Sequence, residues 1–404
     1  MSESHDVVIV GAGPAGSASA YFLASRGFDV QLLDKAEFPR DKTCGDALSP
    51  RSLHVLRTMG LLEAILAAGH RLDHVLLYAP NGQPVQAHVP NFAGLPDFVV
   101  VLPRLKLDEL VRRQAVQAGA QFRARVAVTN LVWEQGRITG VRAESPAGPI
   151  ELRARLTLLA TGAATALLER AGLLPRQPAF GRAARTYFEN MPATANAVEF
   201  HFDAVPLPGY GWVFPTSPTS ANVGAGYFTR AGRPALRNSP RQVFDDFVAS
   251  PRLRALLAKA RQTAPVKGYP LRFDFPTART ALPGLRLVGE ACGLVNPLTG
   301  EGIDYALESA EVAAEAVSGA LQTDSDPERA ARQYAQALRA RFLGTFVNIS
   351  RVRDLYLRPW VLNRFAAAAM KSEELRLLLI NTALGNIDPL RALSAGTLAR
   401  IMIG

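Results

Sequence analysis

The residues of this chain best suited to chemistry fall into two glycine-rich groups about 280 positions apart. In the first, Gly11, Gly13 and Gly16 form a GxGxxG pattern, with Pro14 and Ala15 inside it and Asp34 further on. Gly11 permits a tight turn and Gly13 lets the backbone approach a pyrophosphate. Gly16 allows close helix–strand packing, and Asp34 can accept the hydroxyls of an adenosine ribose. In the second group, Glu290 precedes Gly300-Glu301-Gly302 and Ile303. Backbone amides at a helix start there could stabilise negative charge on a reduced ring system. An enzyme using NAD alone has little need of the second group. A site closing around both ends of one long cofactor does need it, which points to FAD.

The elements around these groups have the matching order. His5 to Val10 is an apolar run, a small-residue helix follows to Gly27, and a second apolar run ends at Asp34. This is a βαβ unit with the glycine turn at the helix start, where an anion is stabilised. The sequence predicts a hairpin in 72–92, then a helix of about a dozen residues from Arg104 to near Gly119. Strands are expected over 121–133, 137–145 and 150–158, and again over 286–289. Between about 175 and 275 the chain shows short β-like runs broken by proline and glycine, with a helix near 240–260. Apolar residues at 303, 307, 310, 314, 317 and 321 mark one buried helix face, and Asp326-Pro327 marks a helix start. The fold class expected is α/β. A Rossmann-type FAD-binding domain (1–71, 96–165 and 276–322) would carry an inserted β-sheet substrate domain (72–95 and 166–275) and a C-terminal helical region (323–404).

The bulk properties agree. The 404 residues exceed one ordinary core, and 48% are hydrophobic, enough for a large interior. Two cysteines, Cys44 and Cys292, make no disulfide framework, which fits a reducing compartment. With no signal peptide and no membrane-spanning run, a cytoplasmic location is expected. The net charge is +10, and residues 329–364 hold eight arginines against one acid, Asp354, with aromatics interleaved. That basic helical segment reads either as a solvated face or as a peripheral contact with an anionic membrane. No nucleic-acid motif accompanies it, and no metal site is expected.

Five stretches carry a resemblance: VVIVGAGPAGSASAYFLASRGFDVQLLDK, FPRDKTCGDALSPRSL, LPRLKLDELV, GYGWVFP and VGEACGLVNPLTGEGIDYALESA. Over roughly residues 5–320 the chain resembles the geranylgeranyl reductase family of FAD-dependent oxidoreductases, within the p-hydroxybenzoate hydroxylase-like group. The resemblance implies that Gly11, Gly13, Pro14, Ala15 and Gly16 hold the FAD pyrophosphate, with Asp34 and Lys35 at the ribose. It implies that Arg104 reaches the phosphate or ribityl region and that the Val126 backbone meets the adenine. Glu290 takes the place of the group's usual Asp, and Gly300, Glu301, Gly302 and Ile303 lie at the pyrimidine edge. The loop Cys44-Gly45-Asp46-Ala47 would lie over the isoalloxazine. Cys44 is the nominated proton donor, with bound water, the flavin itself or simple packing of the thiol as rivals. Tyr210, Trp212 and Phe214 would either line an apolar substrate cavity or pack in the core.

Two departures bear on function. Thr161-Gly162 stands where the related monooxygenases carry Asp-Gly, which weakens flavin reduction by the hydroxylase route. Halogenation requires a dedicated lysine beside a Trp-x-Trp type segment. Here that segment begins Tyr210-Gly211-Trp212 and Lys42 is the only lysine near a motif, which disfavours halogenation. The expected activity is saturation of C=C bonds in a polyprenyl chain, of the geranylgeranyl-lipid or menaquinone-tail type. The flavin would be reduced by NAD(P)H or a ferredoxin-like protein. A monooxygenase on an apolar substrate is one alternative, and a non-enzymatic prenyl carrier resembling the Rab GDP-dissociation inhibitors is another. The oligomeric state stays open.

Overall fold

In the computed structural model, residues 3–174, 180–193, 195–229, 238–386 and 389–403 are described. Five parallel strands build the first sheet in the order Leu285–Leu287, Gly148–Leu159, Glu3–Val10, Val30–Leu33 and Gln121–Arg123. The central strand Glu3–Val10 ends in an unbroken apolar run, Val7 to Val10, because both faces are covered there. Val7, Val8, Ile9, Leu32 and Leu158 are all fully buried. Ala127–Glu134 and Arg137–Ser145 extend the sheet as an antiparallel arm on Gly148–Leu159.

Three expectations shift in detail. The run 121–133 is broken after Arg123, because Arg125 takes a left-handed φ of 57° and turns the chain between two strands. The helix near 240–260 is two helices, Pro240–Ala249 and Pro251–Leu256, separated at Ser250-Pro251. Proline supplies no amide and restricts its predecessor, so Ser250 is extended and the first helix ends there. The strand expected over 286–289 stops at Leu287, and Gly289–Cys292 is a single 3₁₀ turn carrying Glu290.

The helix Pro14–Ala24 begins at the glycine turn and packs against Ile303–Gln322, itself the opening helix of the second glycine group. Small side chains make this crossing close. Ala18 shares a buried cluster with Leu307 and Ala310. The two halves of the glycine signal are therefore joined through one helix pair.

A second, mainly antiparallel sheet runs Arg261–Gln262, Phe180–Glu189, Ser220–Phe228, Gly209–Ser217, Ala197–His201, His74–Tyr78 and Pro84–His88. Period-two alternation sorts the Gly209–Ser217 strand between its two faces. Val213 packs with Phe244 and Phe247 on one side. Trp212 and Phe214 sit on the other, in a cluster shared with the C-terminal helices. Leu167, Leu168 and Leu173 lie in the core of the first sheet.

Pro327–Tyr356 is a 30-residue helix whose N-cap Asp326 accepts from the Arg329 amide at 2.7 Å. Its first two thirds pack Tyr334, Leu338, Phe342 and Phe346 on the first core, and Val352 and Tyr356 reach the second cluster. Of the arginines between 329 and 364, only Arg353 is buried. The interleaving of aromatics and arginines there is largely helix amphipathicity, with the aromatics inside except for Trp360. Pro359–Lys371, Glu373–Ala383, Pro389–Ala392 and Ala395–Ile403 follow Pro327–Tyr356 as the last four helices among the described residues. No helix among the described residues is long and apolar enough to cross a membrane.

Candidate active site

A cavity of about 540 Å³ opens beyond the carboxyl ends of the parallel strands, where open α/β sheets bind ligands. It extends from Gly11, Gly13 and Asp34 at one end to Tyr210, Trp212, Phe214 and Phe228 at the other. The second sheet thus supplies one wall and the first sheet the opposite one.

The glycine turn fits a dinucleotide by space as well as by pattern. Gly11 has φ +103°, and a Cβ there would overlap the Ala160 carbonyl oxygen. A Cβ on Gly16 would overlap the Gly11 carbonyl oxygen. Asp34 is aimed at the turn, its Oδ2 accepting from the Ala12 amide at 2.8 Å and its Oδ1 from the Ala36 amide at 2.8 Å. It stays in the cavity wall with lone pairs left for ribose hydroxyls.

Two guanidinium groups face the same turn. Arg104 Nε and Nη2 donate to Asp108 at 2.6 and 2.8 Å, and Arg40 Nη1 donates to Asp108 Oδ2 at 2.9 Å. A Cβ at Gly13 would lie 3.6 Å from Arg40 Nη2 and 3.9 Å from Arg104 Nη2. Asp108 is fully buried and holds both cations beside the place where a pyrophosphate fits. Sequence reasoning found Arg104 and missed Arg40 and Asp108. The i, i+4 spacing of Arg104 and Asp108 at the start of one helix was the available signal.

Glu290 lines the cavity near Thr161-Gly162. Its Oε1 accepts from the Arg272 amide at 3.1 Å and its Oε2 from Lys42 Nζ at 3.3 Å. Lys42 also sits 4.8 Å from the centroid of the Tyr269 ring. Lys35, Val126, Gly300, Gly302 and Ile303 also reach the cavity, while Thr161 Oγ1 is turned to the Ala164 carbonyl at 3.0 Å.

Four of the expected cofactor residues do not line it: Gly16, Asp46, Ala47 and Glu301. Gly16 acts one layer behind, through the overlap just described. Ala47 is in a short strand paired with Val101. Glu301, half-buried, lies outside the lining because its carboxyl turns toward Gly385 and Asp304. Burial and the Asp304 charge hold it well above the usual carboxylate range.

Asp46 is fully buried with a left-handed φ of 68°, unusual for a residue with a side chain. Its Oδ2 accepts from Tyr187 Oη at 2.6 Å and Asn222 Nδ2 at 2.8 Å, and its Oδ1 from the Arg104 amide at 3.2 Å. Asn222 Nδ2 also donates to the Cys44 carbonyl at 2.7 Å, and its Oδ1 accepts from Trp212 Nε1 at 3.0 Å. One network therefore ties the Cys44 loop to the aromatic wall. A Cβ at Gly45 would lie 3.0 Å from the Phe214 ring, so glycine lets the loop rest on that wall. Burial outweighs the three donors and pushes the Asp46 carboxyl up to about 6. Burial likewise pushes the Cys44 thiol up, which keeps it protonated at neutral pH.

The donor set and the glycine cradle fit FAD. Gly11, Gly13, Asp34, Arg40 and Arg104 surround one end, and Glu290, Gly300 and Gly302 the other. Comparison with known proteins agrees. The FAD binding domain family matches residues 4–339. Menaquinone reductase of Mycobacterium tuberculosis is 32% identical over 328 residues, 78% of this chain and 77% of that protein. Digeranylgeranylglycerophospholipid reductase 1 of Methanopyrus kandleri is 31% identical over 345 residues, 84% of this chain and 88% of that protein. Among solved structures, a geranylgeranyl bacteriochlorophyll reductase-like protein of Thermoplasma acidophilum has a TM-score of 0.78 at 22% identity. That alignment covers 100% of this chain and 96% of the other, and it speaks to fold. The chain belongs to the geranylgeranyl reductase family of FAD-dependent oxidoreductases.

Proposed function

We propose that this enzyme saturates C=C bonds in the polyprenyl tail of a lipid or quinone, with NAD(P)H or a ferredoxin-like protein reducing the flavin. The observation that carries the reading is the continuity of the cavity. The cradle for a dinucleotide opens directly onto a wall of Trp212, Phe214, Phe228 and Leu271. The relatives named for menaquinone and digeranylgeranylglycerophospholipid favour a prenyl substrate for such a wall.

Bound FAD supplies the hydride; the rest falls to the chain's own side chains. A prenyl tail has almost no polar handles, so the aromatic wall holds it through apolar burial, at about 25 cal/mol per Å². The same burial excludes water. Tyr210 donates its hydroxyl to the Thr299 carbonyl, which fixes that ring against the Gly300 turn. An unactivated alkene also needs a proton. Cys44 holds one on Sγ at the cavity wall, in a thiol that burial keeps neutral. The Asp46–Asn222 network fixes its backbone.

The test is anaerobic turnover of a prenyl lipid by the reduced enzyme, read by mass spectrometry. Product gaining two mass units per bond without oxygen supports the reductase. A strict oxygen requirement replaces it with a monooxygenase. Unchanged lipid that co-purifies with the protein replaces it with a carrier.

A further inference from the structure

We propose that the outer face of the Pro359–Lys371 helix, together with the adjoining Ala395–Ile403 helix, docks on an anionic lipid bilayer. Among the described residues eight large hydrophobic side chains are exposed, and four of them (Trp360, Met370, Leu390 and Met402) fall in the last 45 positions. Isolated exposed apolar residues need no explanation, but a cluster does.

The two helices set three of these side chains, Trp360, Met370 and Met402, along one side of the molecule. Arg364 Nη1 donates to the Met402 carbonyl at 2.8 Å, and Arg400 Nη2 donates to Ser372 Oγ at 3.3 Å. Met402 and Arg400 therefore lie alongside the Pro359–Lys371 helix. On that helix Trp360, Arg364, Ala367 and Lys371 recur at i, i+4, i+7 and i+11, with Met370 flanking them, so they share one outward face. The opposite face is fixed: Val361, Leu362, Phe365 and Ala369 are buried in the cluster that also holds Trp212 and Phe214. The outward face is thus presented rigidly, and the aromatic wall of the cavity lies within the cluster behind it.

Charge complementarity selects the occupant. Residues 357–403 carry six Lys and Arg against three Asp and Glu. Glu374 is already paired with Arg400 at 2.9 Å. Tryptophan at a water–hydrocarbon boundary, ringed by arginine and lysine, matches the headgroup region of an anionic membrane. The surface rests on the prenyl-tail reading for its purpose, since such a substrate resides in a bilayer.

The experiment is co-sedimentation of the FAD-loaded full chain with vesicles of phosphatidylcholine alone or doped with phosphatidylglycerol. Binding is expected with the anionic vesicles and declines with salt. Arg364→Glu and, separately, Arg358→Glu (the exposed N-cap residue two positions before Trp360) lower partitioning by about tenfold, and Trp360→Ser lowers it further, with flavin absorbance unchanged in each. In a Trp133→Phe background, brominated lipid quenches tryptophan emission, and adding Trp360→Phe abolishes that quenching while buried Trp212 remains. Equal binding to neutral vesicles, no binding, or full binding by both charge-reversal variants overturns the proposal. A dimer that Trp360→Ser dissociates also overturns it, because the face would then belong to a second copy. Turnover of detergent-dispersed lipid without vesicle binding removes the surface and leaves the activity. Vesicle binding without prenyl reduction does the reverse.

Discussion

At the scale of single residues, the site depends on two groups whose proton affinity burial raises. The Asp46 carboxyl, pushed up to about 6, lies above its unfolded value near 4. Between those values the folded chain keeps a proton that the unfolded chain releases, so stability from this group falls as pH rises from about 4 to about 6. Asp46→Asn removes that slope. The difference in unfolding free energy between wild type and variant changes by roughly 2–3 kcal/mol across the window, measurable by denaturant titration at several pH values. The same variant places an amide before the donors of Tyr187 and Asn222 and loosens Trp212 and Cys44 together. Cys44 gives a separate test. With its thiol pushed up by burial, turnover stays flat through neutral pH and declines only at alkaline pH, above the range of an ordinary thiol. Cys44→Ala binds FAD normally and loses turnover by at least about tenfold if the thiol is the donor, a size typical of general-acid loss. Undiminished turnover assigns the proton to water or the flavin.

Among elements, the decisive contact is that of the Pro14–Ala24 helix with the strand before it and the Ile303–Gln322 helix beside it. A methyl group at Gly16 has no room, since the Gly11 carbonyl occupies its place. The obstacle is backbone, so it cannot swing aside as a flexible side chain would. Gly16→Ala is expected to cost about 1–3 kcal/mol and to displace the glycine turn. Flavin release followed by fluorescence should therefore quicken well beyond what the loss of stability alone produces. A comparable substitution at Gly27, where nothing stands within 4 Å, meets no steric obstacle, though its φ of +83° still favours glycine.

For the whole molecule, Arg51 ties the Pro50–Thr58 helix to Ile303–Gln322, reaching Asp304 Oδ2 at 3.0 Å and Glu308 Oε1 at 2.7 Å. Asp304 is fully buried, and burial raises it to about 6 even with Arg51 beside it. Arg51→Ala strands that carboxylate and should destabilise the fold by about 3–5 kcal/mol at pH 8. At pH 5 the carboxyl is neutral, so the loss shrinks. Thermal unfolding of the variant and wild type at the two pH values checks this. An equal loss at both would assign the role of Arg51 to packing over Tyr305, whose ring centroid lies 4.5 Å away.

What the sequence determined by itself was whatever local chemistry dictates. Glycines at 11, 13 and 16 between an apolar strand and a small-residue helix define an anion-binding turn, because few other residue types fit there. The helix starts at Asp326 and Ile303 and the parallel strands were legible for the same reason: each depends on neighbours a few positions away. The pairing of the two glycine groups was readable because one long cofactor requires both. Only the tertiary structure decided which charges meet. Arg40 and Arg104 share Asp108, Lys42 reaches Glu290 some 248 positions distant, and Asp46 is drawn behind the cavity wall by Tyr187 and Asn222. These partners come from separate strands and loops, and no spacing along the chain encodes them. Glu301 makes the point most plainly. Its neighbours Gly300 and Gly302 face the cavity, but the turn they form sends its carboxyl to the other side, where desolvation and the Asp304 charge raise its proton affinity.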